Sequence, residues 1–248
     1  MAAMRMLASA AVGAGATLVF ADAFPGSVPS LGLSKPKEVS LQYFDIPGVA
    51  EKVRFALLMG KVPFRDDRVP FDKWAEVKPT TPFGQLPVME VDGVRFAQSD
   101  AQLNYVGAVT GLIPKDPLKA AKVHEALGVV EDLRGKIRPS VYVGMDKSLS
   151  DRAKKAKVAV MRKELRETHI PAYLAHFEKM LERDEYVAGP APTVADAYLL
   201  ATTRWLAGGA LDGIPKDCLD AFPKLTAHKE KMEKIPEIAD YLEKCAKK

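Results

Sequence analysis

The chain has 248 residues, of which 48% are hydrophobic and 27% charged, and its formal net charge is only +4. This composition is typical of a globular protein with room for one large domain or two smaller ones. The positive excess is too small and too dispersed to indicate a nucleic-acid partner. The two cysteines, Cys218 and Cys245, lack the spacing of a metal site, so we expect neither a metal nor a disulfide scaffold.

Residues 1–37 have the pattern of a targeting leader. Arg5 precedes an apolar run from Leu7 to Phe20, and the Ala-Asp-Ala of residues 21–23 is a signal-peptide cleavage pattern. The run is too short for a membrane span, so we expect none in the mature protein. Residues 24–37 contain serine, proline and lysine but no acid, as transit segments do. The order resembles the bipartite leaders of algae with complex plastids, which predicts a plastid location; secretion is the alternative, and the cytosol is a weaker one.

Residues 38–111 alternate between strand and helix patterns. The pattern predicts a strand, a helix, a second strand and a few helical turns, over Val39–Phe44, Ala50–Met59, Val62–Val69 and Phe71–Val77.

The stretch from Gln85 to Ser99 predicts a hairpin followed by a helix. Two apolar runs, Leu86–Val91 and Val94–Phe96, are separated by Asp92-Gly93, which is a strong hairpin signal. Ser99 begins a helical pattern that reaches Val109, and Gln102 is placed to complete a capping box. Because helix N-termini bind anions, Ser99 is a candidate anion site.

Residues 112–248 carry only helical patterns after a linker at Pro114–Pro117. The run Val194–Leu206 is apolar nearly all round, so we expect it at the buried centre of this region, capped by Thr193 with Asp196. The basic run Arg152–Arg166 is interpreted as the exposed face of an amphipathic helix. The other predicted helices are Leu118–Leu133, Ser150–Leu181 with a kink at Pro171, Pro223–Lys234 and Ile235–Lys244.

Three segments resemble the glutathione S-transferase family, and its Tyr-type sigma class most closely. They read LQYFDIPGVAEKVR, TTPFGQLPVMEVDGVRFAQSDA and TVADAYLLATTRWL, and the resemblance extends from about Val39 to the C-terminus. It implies an α/β plus all-α architecture: a thioredoxin-like N-terminal domain over residues 38–111, then an all-helical domain over residues 112–248. It also implies glutathione as co-substrate and no metal.

The resemblance places Tyr43 at the family's catalytic tyrosine. It places Trp74 and Lys78 where the family holds the glycine end of glutathione, with Gln85 on the same wall. A hydroxyl that donates to sulfur, near the positive end of a helix beginning around Gly48, favours the reactive thiolate.

The resemblance assigns the rest of the glutathione site to the hairpin stretch. Leu86 matches the residue whose backbone pairs with the cysteinyl part of glutathione, and Pro87 matches the family's cis-proline. Gln98 and Ser99 match the pair that holds the γ-glutamyl carboxylate.

Each of these residues also has a purely structural interpretation on spacing alone. Tyr43 is placed to be a strand-end aromatic, and Trp74 to fill a core. Gln98-Ser99 is a plausible helix cap, and a loop residue such as Lys78 is usually just solvated.

Two residues depart from the family pattern. Val49 stands where the sigma class commonly has an arginine, which removes a cation near the tyrosine. Asp100 follows Ser99 and is expected to repel a neighbouring carboxylate, so glutathione affinity is expected to be reduced.

The resemblance also implies a homodimer and a second-substrate pocket. Phe83 matches an aromatic that inserts into a neighbouring subunit, and the pocket is expected to be walled by residues after Tyr43 and by the helix near Tyr142, Val143 and Met145.

The favoured function is therefore a glutathione transferase that attacks small hydrophobic electrophiles or peroxides. A sigma-like isomerase uses the same thiolate and remains open. The alternatives are a non-catalytic homologue that binds ligands or serves a structural role, and a secreted toxin-binding module. Cysteine-type relatives are disfavoured because no cysteine lies near Tyr43 or Gly48.

Overall fold

The computed structural model describes residues 36–247. Residues 1–35, which hold the predicted cleavage site and almost all of the predicted leader, lie outside the described residues. The bounds of the strands and helices below are those of the structure.

A four-stranded mixed sheet forms the first half of the described chain. Its strands are β1 (Val39–Phe44), β2 (Arg65–Val69), β3 (Val88–Val91) and β4 (Val94–Ala97), in the order β2-β1-β3-β4. β1 and β2 are parallel, whereas β1–β3 and β3–β4 are antiparallel. The predicted first strand is confirmed, and β2 begins three residues later than predicted, after Pro63, which cannot donate to a ladder.

The predicted hairpin is confirmed. β3 and β4 are joined by Asp92 and Gly93, whose φ angles are 48° and 85°. Two consecutive positive φ angles are those of the tight turn that matches the twist of a hairpin, and Asp-Gly suits them well. The Leu86–Pro87 peptide is cis, as predicted.

In the described part of the chain, three α-helices accompany the sheet: α1 (Glu51–Met59), α2 (Trp74–Val77) and α3 (Ser99–Thr110). The capping box predicted at Ser99 is wrong. Ser99 is the first residue of α3, and Gln98 is the N-cap without a side-chain bond. Gln102 is fully buried, and its amide donates to the carbonyl oxygens of Pro87 (3.1 Å) and Phe96 (3.3 Å) instead. It therefore ties α3 to the hairpin.

Six α-helices form the second half of the described chain. They are α4 (Pro117–Met145), α5 (Asp151–Glu164), α6 (Ile170–Arg183), α7 (Val194–Ala207), α8 (Pro223–Glu233) and α9 (Pro236–Ala246). No helix in the described range of 36–247 has the length and apolar character needed to cross a bilayer.

The predicted end of α4 at Leu133 is wrong, because the helix continues to Met145 through Pro139. A proline removes one backbone hydrogen bond, but the buried face continues through Ile137 and Ser140 on either side of it. Packing outweighs the loss of that bond.

The kink predicted at Pro171 coincides with an irregular turn of the helix. A π-helical turn over Leu165–His169 separates α5 from α6, and Pro171 lies in the first turn of α6. A proline there leaves an upstream carbonyl without its usual donor, which accounts for a wider turn just before it.

α7 lies at the centre of the core, as predicted. Its first ten residues are all buried, and Thr193 and Asp196 form the predicted capping box. Asp196 is fully buried.

Candidate active site

The register of the sheet brings Tyr43 beside the cis-proline. Tyr43 is the penultimate residue of β1, and Gln42, just before it, pairs with Val88 of antiparallel β3. Because the two strands are antiparallel, the residue after Gln42 lies opposite the residue before Val88, which places Tyr43 next to the Leu86–Pro87 peptide. Two of the predicted segments thus meet at one edge of the sheet.

The same edge contains the beginning of α3. Val88 also pairs with Ala97, the last residue of β4, so Gln98 and Ser99 follow directly beside the cis-proline. Gln98 has a φ of 72°, which turns the chain sharply into the helix. The exposed N-terminus of α3 therefore lies at the edge of the sheet where β1 ends.

The Tyr43 hydroxyl is held by the loop that follows it. The residue is 8% exposed, and its oxygen accepts a hydrogen bond of 3.3 Å from the Val49 N–H. Gly48 has a φ of +53°, and a Cβ there would come within 2.4 Å of the hydroxyl oxygen. Only glycine allows this approach. The phenolic hydrogen itself bonds to no described residue, so it is available to a ligand.

Arg54 holds the backbone of this loop through hydrogen bonds. The residue is fully buried, and its Nη1 donates to the carbonyl oxygens of Ile46 (3.2 Å) and Pro47 (3.1 Å). It also forms ion pairs with Glu51 (3.0 Å) and Asp66 (3.1 Å). Its guanidinium carbon lies 5.8 Å from the centre of the Tyr43 ring. The cation next to the phenol is therefore already neutralised by two carboxylates.

The electrostatics keep Tyr43 protonated. Burial raises the pKa of Tyr43, while the Val49 N–H and the charges of Arg54 and Arg134 act in the opposite direction without overcoming it. At neutral pH the group is therefore a phenol that donates a hydrogen bond, and not a phenolate base.

The residues expected at the glycine end lie near the end of β1 and on the loop before β3, and their grouping into one site stays a prediction. The Trp74 ring packs edge-on against Phe44, the neighbour of Tyr43, with centroids 5.3 Å apart. The stem of Lys78 passes Gly84, since a Cβ there would lie 3.4 Å from the Lys78 Cε. Lys78 and Gln85 are both exposed, so neither is held for a core.

Asp100 has a partner that sequence reasoning missed. Its carboxylate forms an ion pair with the ammonium of Lys52, which is only 2% exposed and lies 3.8 Å from the centre of the Tyr198 ring. Burial lowers the pKa of Lys52, and Asp100 opposes that shift. The Lys52 ammonium therefore offsets the negative charge of Asp100, which was expected to repel an anion bound at Ser99.

The helix α4 presents a charged face that was also missed. Glu131, Arg134 and Arg138 recur at helical spacing, and Glu131 accepts hydrogen bonds from Arg138 and from Tyr198 of α7. The charge of Arg134 and the hydroxyl of Tyr142 both act on the pKa of Tyr43. The spacing was the only signal in the sequence, and it is shared by any exposed charged helix face.

Within residues 36–247, no cluster of histidine, cysteine and acidic side chains is arranged to hold a metal ion.

Comparison with known proteins decides the family. A family model for the glutathione S-transferase C-terminal domain matches residues 140–245. Glutathione S-transferase 1 of Ascaris suum is 34% identical over 208 residues, which cover 83% of this chain and 95% of the relative. The chain belongs to the glutathione S-transferase family.

Two solved structures extend this finding to the fold of the transferase. A prostaglandin synthase D of Nilaparvata lugens superposes with a TM-score of 0.72 at 27% identity, covering 84% of this chain and 98% of the other. A monomeric glutathione S-transferase of Necator americanus gives 0.67 at 29% identity, covering 84% and 97%. The expected thioredoxin-like sheet followed by an all-helical region is thereby confirmed.

Proposed function

We propose that this chain is a glutathione transferase in which the Tyr43 hydroxyl donates a hydrogen bond to the thiolate of glutathione. The observation that carries the proposal is the state of Tyr43. Its oxygen accepts from the Val49 N–H at 3.3 Å, and its own hydrogen is uncommitted among the described residues.

Stabilising the thiolate is the chemical task of such a site. A free thiol with a pKa of about 8.5 is only about 3% ionised at pH 7, and lowering that pKa by about 2 units raises the fraction to roughly three quarters. A phenol with a raised pKa is suited to this task, because it donates to sulfur without losing its proton. The thiolate then attacks the electrophile, and the leaving group departs with the bonding electrons.

Glutathione is proposed to lie along the edge of the sheet described above. Leu86 and Pro87 would contact the peptide backbone of the ligand, and Trp74, Lys78 and Gln85 its glycine end. Gln98 and Ser99 would hold the γ-glutamyl carboxylate at the N-terminus of α3. The ion pair of Asp100 with Lys52 supports this arrangement, because it offsets the repulsion expected from Asp100.

The same thiolate supports other reactions. The prostaglandin synthase D among the structural relatives makes an isomerase activity a natural extension of the proposal, and peroxide reduction by glutathione is another. All three would depend on Tyr43.

The experiment uses protein that begins near Lys35, applied to immobilised glutathione and then assayed with a chlorodinitrobenzene acceptor. We expect retention on the column and conjugation, with Tyr43→Phe retained but about tenfold to a hundredfold slower, because a hydrogen bond to a charged group contributes about 1.5–3 kcal/mol. Retention without turnover on any acceptor would instead make the protein a glutathione-binding carrier.

A dimer is proposed on the basis of Phe83. This ring is 66% exposed on the loop before β3, and an exposed aromatic of this size favours contact with another chain. Sedimentation of the wild-type protein and of Phe83→Ser measures this directly. A wild-type monomer, as in the Necator americanus relative, would refute it.

A plastid location through the leader of residues 1–37 is proposed from the sequence pattern. Fractionation of a C-terminal fluorescent fusion tests it. Recovery in the medium would favour secretion, and recovery in the cytosol would contradict both.

A further inference from the structure

Arg134 is a buried cation on α4 that the proposed thiolate chemistry does not use. The residue is 7% exposed, and its guanidinium carbon lies 4.8 Å from the centre of the Trp205 ring and 5.5 Å from that of Tyr198. Its Nη1 donates to the Thr202 hydroxyl over a long 3.4 Å. All three neighbours belong to α7, so the guanidinium lies against the helical half of the protein.

No acid within residues 36–247 forms an ion pair with Arg134. Glu131, one turn earlier on α4, already accepts hydrogen bonds from Arg138 and Tyr198 with its two oxygens. Arg54, by contrast, is buried with two carboxylates. Burial lowers the pKa of Arg134, and the Tyr198 hydroxyl and the Glu131 carboxylate oppose that shift without overcoming it.

Burying a cation without an ion pair is costly, and contact with aromatic faces offsets only part of that cost. The Nε–H and Nη2 donors of Arg134 make no hydrogen bond to a described residue. Together they form the fork that binds a carboxylate through two parallel hydrogen bonds. The chemistry of the side chain therefore matches an anionic oxygen pair.

The position of Arg134 favours the second substrate as the source of that anion. The Tyr198 ring that Arg134 contacts also lies 3.8 Å from the Lys52 ammonium, and Lys52 pairs with Asp100 beside Ser99, so Arg134 lies near the proposed glutathione site. The residues proposed for glutathione all come from the sheet half of the chain, whereas Arg134 comes from α4 and is flanked by aromatic rings of α7. Tyr198 is buried, but Trp205 is partly exposed, and its ring offers a flat apolar surface beside the charge that suits an aromatic or unsaturated acid.

We propose that Arg134 binds a carboxylate on the electrophile, so that this transferase prefers acidic acceptors. The inference rests on the proposed function, because only a conjugating enzyme has an electrophilic substrate. The carboxylate serves only for binding and takes no part in the reaction. With a chloroaromatic acceptor, the glutathione sulfur bonds to the ring carbon, and chloride leaves with the electrons of the carbon–chlorine bond.

The test compares a chlorodinitrobenzoate with its methyl ester, which replaces the negative charge by a neutral group of similar size. Each rate is divided by the uncatalysed rate with glutathione, since the ester activates the ring more strongly. We expect the wild-type protein to favour the acid in kcat/KM. Arg134→Gln should reduce kcat/KM for the acid about tenfold to a hundredfold, chiefly through KM, and change the ester by less than about threefold. Arg134→Lys should retain part of the preference.

Arg162→Gln is the matched control. Arg162 is also buried and forms no ion pair with any residue of 36–247, but its Nε donates to Ser140, which lies on another face of α4. This variant should keep the ratio of acid to ester at the wild-type value, even if it is less stable.

Three results would overturn the inference. One is a wild-type enzyme without preference for the acid. Another is an equal loss of kcat/KM for both acceptors in Arg134→Gln, together with a raised pKa of the thiol in bound glutathione. That result would show that the guanidinium stabilises the thiolate and does not bind the acceptor. The third is conjugation of neither acceptor, which would refute the proposed function as well. Turnover of the ester alone is a case of the first result and leaves the proposed function standing.

Discussion

At the scale of single residues, Gly48 determines where the Tyr43 hydroxyl lies. The close approach of this loop is what lets the Val49 N–H occupy one lone pair of the phenol and orient its hydrogen. A side chain at position 48 would compete for the space of the hydroxyl, so the position constrains the reacting group directly.

We expect Gly48→Ala to lose about tenfold to a hundredfold in kcat, because displacing a reacting group by about 1 Å can have an effect of that size. Gly93→Ala is the control. Gly93 also has a positive φ, of +85°, but a Cβ there meets no atom within 4 Å. Both variants should lose stability by about 1–2 kcal/mol from backbone strain, and only the first should lose activity per folded molecule. Equal activity in the two variants would contradict this account of the loop.

At the scale of elements, α7 depends on a buried carboxylate at its start. Asp196 accepts hydrogen bonds from the N–H groups of Val187 (2.9 Å) and Thr193 (2.8 Å) and from the Thr193 hydroxyl (2.9 Å). It also contacts the His228 ring at 2.9 Å. One side chain therefore joins the helix start to the preceding loop and to α8.

Asp196→Ala should lower the free energy of unfolding by about 3–5 kcal/mol, because buried partners lose their acceptor. Asp116→Ala is the matched comparison. Asp116 caps α4 from an exposed position, where it accepts from the Lys119 N–H at 2.8 Å, and its loss should cost about 1 kcal/mol. Urea unfolding of the two variants measures the difference, and similar losses would show that burial of Asp196 contributes nothing.

Local patterns predicted individual elements well and their side-chain contacts poorly. Asp92-Gly93 encodes its turn in two adjacent residues, and Thr193 with Asp196 encodes a helix start in four. The predicted box at Ser99 failed because α3 begins one residue earlier than that box requires, with Gln98 as its N-cap, and because the Gln102 amide donates to carbonyls that only the folded hairpin brings near. Lys52 and Asp100 are 48 positions apart, so no local pattern could pair them.

At the scale of the whole molecule, the last helix supports the first. The Tyr241 hydroxyl of α9 donates to Glu51 at 3.0 Å and accepts from Arg68 of β2 at 3.1 Å. Glu51 in turn pairs with Arg54, which holds the loop beneath Tyr43. The candidate site is therefore supported by both halves of the chain, although the residues proposed to hold glutathione come from one.

The pKa of the thiol in bound glutathione tests the central claim most directly. It is measured from the pH dependence of thiolate absorbance and of kcat/KM between about pH 5 and about pH 9. Because the pKa of Tyr43 is raised, the phenol stays protonated across this range, and activity should rise with thiol ionisation alone. The account predicts a thiol pKa well below about 8.5 in the wild-type complex, raised by about 1–2 units in Tyr43→Phe and unchanged in Tyr105→Phe. An equal thiol pKa in the wild-type and Tyr43→Phe complexes would contradict it.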